Sequence, residues 1–198
     1  MNYGELKTAL TNWTKRSDLS SHYQTFVDQV QARLNTDVRV RGRIASATLS
    51  TVAGTESVAL PSDWLRGLSL DIEGHGLEYR TPEELRAAYP SSFSGRPVVY
   101  SIEGDNLILG PKPDSVYSIR ARYYQRFTAF AGDSSTDWVL TNYPNVYLFG
   151  CLVEAEAFAM DDNRSAVWEQ RYQQAVNAMN RTEGSAASAG TTLRMRAK

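Results

Sequence analysis

Few side chains in this sequence could act as metal ligands or nucleophiles. The 198 residues include two histidines, His22 and His75, and a single cysteine, Cys151. A zinc site needs several such ligands at defined spacings, and Cys151 lies inside a strongly apolar segment. The sequence also carries no phosphate-binding glycine loop and no serine-nucleophile or metalloprotease motif. We therefore predict no metal site and no cofactor, and we interpret both histidines as surface residues.

Two pairs of neighbouring carboxylates are the next candidates for chemistry, because paired carboxylates can carry out general acid–base catalysis. Glu83-Glu84 follows Thr81-Pro82, and Asp161-Asp162 follows an apolar segment. The first pair falls in the first turn of a predicted helix, where negative charge is favoured. The second falls in a turn between two predicted helices and can cap the later one. We therefore predict no catalytic residue and no enzymatic activity.

Arginines and aromatic residues share the longest predicted strand. The residues concerned are Arg120, Arg122, Tyr123, Tyr124, Arg126 and Phe127. Such a surface can bind single-stranded nucleic acid through phosphate contacts and base stacking. A plain exposed sheet face with cross-strand pairs has the same pattern, and we favour that interpretation. The formal net charge of −1 gives the whole chain no bias toward nucleic acid or membranes.

The elements that position these residues follow the order helices, strands, helices. Apolar residues at helical spacing predict a first helix over residues 3–15 and a second that ends near residue 35. Ser21 and Gln24 form a capping-box pattern at the start of the second helix. Together they predict a helical hairpin at the beginning of the chain.

Residues 39–140 change to β-branched and turn-forming residues. Gly74 and Gly104 mark two predicted hairpins, and Thr81 opens one short helix through a second capping box. The strand over residues 116–127 alternates apolar and polar side chains, which predicts one buried and one exposed face.

The last third of the chain combines two helical patterns with a tail. Residues 144–160 are apolar all round, which predicts a helix buried on most sides, and residues 164–181 predict an amphipathic helix. Residues 182–198 have no core-forming pattern, and residues 184–190 have the composition of a flexible linker. Beyond the linker, apolar and basic residues alternate as they would in a strand added to a partner. A frayed terminus is the alternative.

The sequence therefore predicts an α+β fold. Residues 1–38 and 141–181 form a helical bundle, residues 39–140 a β-rich insertion with one short helix, and residues 182–198 an extended C-terminal tail. No apolar run is long enough to span a membrane, and the beginning of the chain lacks a signal-peptide pattern. The single cysteine is compatible with a reducing cytoplasm.

The chain also contains a series of short motifs in a particular order. They are Tyr3-Gly4-Glu5-Leu6, Asn12-Trp13, Leu60-Pro61-Ser62-Asp63-Trp64-Leu65, Arg96-Pro97-Val98-Val99-Tyr100, Leu107-Ile108-Leu109-Gly110-Pro111-Lys112-Pro113, Tyr123-Tyr124, Trp138-Val139-Leu140-Thr141-Asn142-Tyr143-Pro144 and Asp161-Asp162-Asn163-Arg164. Together they resemble the head-to-tail adaptor (connector) proteins of tailed phages, especially the portal-associated adaptors of short-tailed phages. The resemblance covers most of the chain, although no single motif is specific by itself.

The resemblance implies a structural virion protein located in the neck or tail and assembled in the host cytoplasm. It implies twelve copies in a ring beneath the portal, around a channel through which DNA passes without sequence recognition. The implied partners are the portal protein and a tail (nozzle or tail-tube) protein. The candidate portal-binding residues are Thr191, Leu193, Arg194, Met195 and Arg196. The candidate ring-interface or channel residues are Arg39, Arg41, Arg43, Arg120 and Arg122.

Two alternative functions compete with this one. A DNA-binding virion protein would use the strand from Arg120 to Arg126 and would bind DNA tightly in a salt-dependent manner. A cell-wall hydrolase of the virion would depend on a particular Asp or Glu, and the sequence singles out no such residue.

Overall fold

Helices form at both ends of the chain and strands form between them, in the order that the sequence patterns predict. The computed structural model describes residues 1–160 and 162–188, and it confirms the predicted α+β class. These residues form two compact units. The helical unit contains Met1–Arg43 and the described residues that follow Arg126, and the β unit is Ile44–Arg126.

The described elements are numbered in chain order. The helices are α1 (Tyr3–Thr14), α2 (Tyr23–Asp37), α3 (Pro82–Ala88), α4 (Trp138–Asn142), α5 (Pro144–Phe158) and α6 (Asp162–Ser188). The strands are β1 (Ile44–Ser50), β2 (Ser57–Ala59), β3 (Trp64–Ile72), β4 (His75–Gly76), β5 (Glu78–Tyr79), β6 (Ser94–Gly95), β7 (Val99–Glu103), β8 (Asn106–Gly110), β9 (Lys112–Pro113) and β10 (Ser118–Gln125).

Most of the apolar segment of residues 144–160 forms α5, which is buried on nearly all sides as far as Glu156, whereas Phe158 and Met160 are exposed. Cys151 is fully buried in the core of the helical unit, together with side chains of α1, α2 and α6. A side-chain atom added at Gly150 would come within 2.8 Å of Val30, so α5 packs closely against α2 at this point. The prediction of a buried helix at this position is confirmed.

The start of α2 differs from the prediction. Asp18–His22 forms a 3₁₀ turn, and α2 begins at Tyr23 without a side-chain cap. The capping box predicted for Ser21 and Gln24 is therefore wrong. Leu19 is buried in the core of the helical unit, and packing of this turn takes the place of the predicted cap.

The last helix is longer than the sequence predicts. α6 continues beyond Arg181 to Ser188, so the predicted linker of residues 184–190 is helical over residues 184–188. The reason is Glu183, which is 7% exposed and accepts hydrogen bonds from Arg41 Nε at 2.9 Å and from the Tyr143 hydroxyl at 3.0 Å. These bonds hold the start of the additional helix against the unit, and the helix is about two turns longer than composition alone indicates.

Three sheets make up the described β unit. Their strand orders are β1-β10-β3-β4, β2-β8-β7-β5 and β6-β9. Hairpins at Gly74 and Gly104 join β3 to β4 and β7 to β8, as predicted. The strand predicted just after Gly76 forms β5, which pairs in parallel with β7 instead of continuing the hairpin with β3.

The boundaries of the β unit lie inside the predicted insertion of residues 39–140. Val40 near its start, and Phe130, Val139 and Leu140 near its end, are buried in the core of the helical unit. The composition of these flanking segments is typical of strands and turns. Their apolar side chains nevertheless belong to the core of the helical unit.

Candidate functional site

The sheet β1-β10-β3-β4 has one face on the apolar core of the β unit and one exposed face. Ile119, Ala121 and Tyr123 of β10 are buried, and the intervening residues point the other way. Residues that pair directly across antiparallel strands share a face. We name this exposed surface the open face, and its residues are Ser46, Thr48, Ser50, Arg66, Ser69, Asp71, Ser118, Arg120, Arg122 and Tyr124.

The open face carries more positive than negative charge. Arg120 donates two hydrogen bonds to the Asp71 carboxylate, from Nε at 3.0 Å and from Nη2 at 3.2 Å. The hydrogen bond from Arg120 holds the pKa of Asp71 below its ordinary value. Among the described residues, Arg66 and Arg122 have no ion-pair partner. The open face can therefore contact phosphates or carboxylates of another molecule, but it contains no arrangement for acid–base catalysis.

The predicted group of Arg39, Arg41 and Arg43 separates into three different environments. Arg39 is exposed and donates to the backbone carbonyls of Asn35 and Val38 at the end of α2. Arg41 is mostly exposed, and its Nε bonds to Glu183. Both remain accessible to a neighbouring molecule.

Arg43 corrects the prediction. It is 3% exposed and donates to the carbonyls of Leu34 and Val38, each at 3.1 Å, and to Asn35 Oδ1 at 2.7 Å. Its guanidinium also lies 3.9 Å from the centre of the Phe127 ring. Arg43 thus satisfies the last carbonyls of α2 within its own unit and offers no surface to a ring neighbour or to DNA.

The residues predicted to bind the portal lie outside the described part of the chain. They are Thr191, Leu193, Arg194, Met195 and Arg196. The nearest described feature is the end of α6, where Glu183, five residues before Ser188, is bonded to Arg41 and Tyr143.

Among the candidate catalytic and metal-binding groups, Glu84 caps a helix and Cys151 is buried. Glu84 and Thr81 form the predicted capping box of α3, with bonds of 3.1 and 3.3 Å. Burial raises the pKa of the Cys151 thiol far above its ordinary value. Among the described residues, no group of three His, Cys, Asp or Glu could hold a metal ion. Asp161 lies outside the described residues.

A partly buried carboxylate that the sequence patterns did not single out is Asp137. Its Oδ1 accepts from the Leu140 backbone at 2.7 Å, which caps α4, and its Oδ2 accepts from the Tyr147 hydroxyl. Burial raises the pKa of Asp137 above its ordinary value. A shifted buried carboxylate can mark an active site, but both oxygens of this one are occupied inside the fold. In the sequence, the position of Asp137 immediately before a helical segment is the pattern that indicates a helix cap.

A second missed feature is an aromatic cluster on the helical unit. Trp13, 42% exposed, lies 5.4 Å from Trp168 and 6.3 Å from Phe149, measured between ring centres. Arg171 lies 5.1 Å from the centre of the Trp168 ring. Tryptophan and arginine are enriched at the energetic centres of protein interfaces. Trp13 and Trp168 recur with apolar residues at helical spacing, and periodicity does not distinguish a buried helix face from one that is half exposed.

Within the part of the chain that the structure describes, no helix has both the length and the apolar composition needed to cross a membrane. A search of curated proteins gives no match. A family model described as SU10 adaptor protein matches residues 1–196, in agreement with the resemblance that the motifs show to phage head-to-tail adaptors. The chain therefore belongs to the SU10 adaptor protein family, a family of phage adaptor proteins.

Proposed function

We propose that this protein is a structural component of the virion that joins the portal to the tail. The observation that carries the proposal is the family match over residues 1–196, since an adaptor interacts with portal and tail proteins. In this proposal the protein assembles in the host cytoplasm, lies in the neck of the virion and has no enzymatic role. In support, the described carboxylates Glu84 and Asp137 serve as helix caps.

In this proposal twelve copies form a ring beneath the portal, and DNA passes through the centre. Heterologous contacts close into a ring when a fixed rotation relates each copy to the next. A net charge of −1 suits a channel that DNA must traverse, because strong neutralisation of phosphates would retain the DNA. The residues proposed for the ring interface or the channel are Arg39, Arg41, Arg120 and Arg122. Arg43 is omitted because it is buried.

The C-terminal segment is proposed to anchor the protein on the portal. The alternation of Leu193 and Met195 with Arg194 and Arg196 suits a strand added to the edge of a sheet in the portal subunit. α6 reaches Ser188, so the portal-binding segment follows the helix closely in sequence. Twelve such anchors acting together hold the ring on the portal even when each single contact is weak.

Truncation after Ser188 tests the anchor, with co-sedimentation on purified portal rings as the measurement. We expect portal binding to fall by at least about tenfold, with no change in thermal unfolding, because α6 stays complete. The variant Leu193→Ser/Met195→Ser should reproduce most of the loss, and Thr192→Ser should bind as the natural chain does. Unchanged binding of the truncated chain would refute the anchor. No binding of the full chain to portal or tail proteins would refute the adaptor function itself.

DNA binding by the open face is a second candidate function. It is favoured by Arg66 and Arg122, for which no carboxylate partner occurs among the described residues. Fluorescence anisotropy with a labelled DNA duplex distinguishes the two functions. Tight binding that weakens by orders of magnitude between about 50 and 200 mM salt would favour the DNA-binding function. Weak binding at physiological salt is expected of the adaptor.

A further inference from the structure

A cavity of about 640 Å³ opens at one end of the β unit. Its lining comes from the start of β3, the turn before it, the hairpin between β7 and β8, and Arg126 after β10. This volume accommodates a few amino-acid side chains, and it lies in the range of small-molecule and peptide pockets. The cavity belongs to neither the open face nor the C-terminal segment discussed above, although Arg66 lies where the cavity and the open face meet.

The apolar part of the lining is rigid. Trp64 is 8% exposed, and its ring is stacked on Tyr123 with the ring centres 4.6 Å apart. The Tyr123 hydroxyl donates to Asp63 at 2.9 Å, which fixes the tyrosine in turn. A side-chain atom added at Gly67 would come within 3.0 Å of the Trp64 ring, so the indole lies close to the β3 backbone. The apolar wall that Trp64 shares with Leu60 and Ile102 is therefore preformed.

The polar part of the lining is mainly cationic. Arg66 and Arg126 both line the cavity and are exposed, and among the described residues neither has a carboxylate partner. Arg126 is held at its base, because its backbone nitrogen donates to the Asp63 carbonyl at 2.7 Å. Asp105 is the acidic residue of the lining. The nearby carboxylate of Asp63 is already bonded to Tyr123 and Gln125. Two guanidinium groups against one carboxylate leave the cavity with a positive excess.

We propose that this cavity is a binding site for an acidic peptide segment of a protein partner. A carboxylate of the segment binds the guanidinium groups of Arg66 and Arg126, and a neighbouring apolar side chain packs on Leu60 and Ile102 beside Trp64. Arginine pairs strongly with carboxylates because its planar fork donates two parallel hydrogen bonds. This proposal does not depend on the ring, the portal or the adaptor function.

A nucleic acid fits the cavity less well than a peptide. A phosphate would meet the two arginines, but a backbone contact leaves the apolar wall uncovered. A single-stranded base would need an aromatic face to stack on, and the Trp64 ring is already stacked on Tyr123 and is almost entirely buried. A peptide with alternating acidic and apolar residues satisfies both parts of the lining at once.

The experiment is isothermal titration calorimetry of the full chain with a synthetic hexapeptide of alternating aspartate and leucine, capped at both ends. We expect measurable binding, and binding at least about tenfold weaker when asparagine replaces aspartate in the peptide. The double variant Arg66→Gln/Arg126→Gln should lose a similar factor. The matched control Arg120→Gln/Arg122→Gln changes two cations in the same unit outside the cavity and should bind within about twofold of the natural chain.

Three outcomes would overturn the proposal. They are no binding of the aspartate peptide to the natural chain, equal binding by the Arg66→Gln/Arg126→Gln variant, and tighter binding of a short oligothymidylate that depends on the same two arginines. If the double variant fails to fold, NMR of the natural chain decides. Amide shifts confined to residues 60–67, 102–105 and 126 on addition of the peptide support the site, and shifts elsewhere or none reject it.

Discussion

Arginines of the helical unit and arginines on the open face of the β unit differ in their partners. In the helical unit, Arg33 bridges Glu154 and Glu169, Arg43 is buried against the end of α2, and Arg41 bonds the nearly buried Glu183. On the open face of the β unit, Arg66 and Arg122 have no partner among the described residues. Removing one partner of a buried ion pair is strongly destabilising because it leaves the other charge uncompensated, whereas exposed single charges contribute little to stability. Arg33 and Arg43 of the helical unit therefore serve its own structure, whereas Arg66 and Arg122 of the open face remain available for other molecules.

The largest expected effect comes from removing one arginine from each unit and comparing the loss of stability. Arg43→Ala leaves carbonyls at the end of α2 without donors, and we expect the free energy of unfolding to fall by about 3 kcal/mol. Arg122→Ala should change it by less than about 0.5 kcal/mol. Urea unfolding followed by circular dichroism measures both values. If the two variants lose similar stability, the division of roles between the units is wrong.

A smaller effect is expected at the end of α6. Glu183→Ala removes the acceptor for Arg41 and Tyr143, and we expect a loss of about 1–2 kcal/mol. Hydrogen exchange should become faster over residues 182–188 and stay unchanged in the β unit. Arg181→Ala changes an exposed residue two positions before Glu183 that takes no part in these bonds; it is the control and should leave exchange unaltered. Exchange that is equally slow in Glu183→Ala would show that helix propensity, and not these two bonds, maintains the helix over residues 182–188.

The smallest expected effect concerns Arg120, the one arginine of the open face that has a carboxylate partner among the described residues. Because the folded-state pKa of Asp71 is lowered, its contribution to stability is present above its unfolded pKa and is lost as pH falls through the folded pKa, below about pH 4. Arg120→Gln should raise the pKa of Asp71 toward its ordinary value. Carbon-detected NMR titration measures the shift, and Arg122→Gln should leave the pKa of Asp71 where it is.

Local patterns in the sequence predicted the elements whose causes are local. The apolar residues around α5 gave a buried helix, the alternation along β10 gave one buried face, and Thr81 with Glu84 gave the capping box of α3. Each of these depends on residues a few positions apart, which the sequence shows directly. The capping box at Ser21 had the same pattern but lost to packing of the turn around Leu19.

The wrong predictions concern residues whose surroundings depend on contacts with residues far away in the sequence. Arg43 reads as one of three surface cations, and its burial depends on Phe127, which follows the whole β unit in sequence. The tail reads as flexible from residue 182, and its first turn is helical because Glu183 meets Arg41. The cavity arginines, Arg66 and Arg126, are 60 positions apart and share no motif. Neither composition nor periodicity contains this information.

The pairing of β1 with β10 has a consequence for how the chain folds. Ile44 pairs directly with Tyr124, so the segments that enter and leave the β unit are neighbours across 80 positions of sequence. Closing a loop of this length costs about 4 kcal/mol in chain entropy. Once the β1–β10 ladder has formed, the two halves of the helical unit are joined by a tether of a few residues and no longer bear that entropic penalty. Loops within the β unit can therefore change length without slowing the search of the helices for each other.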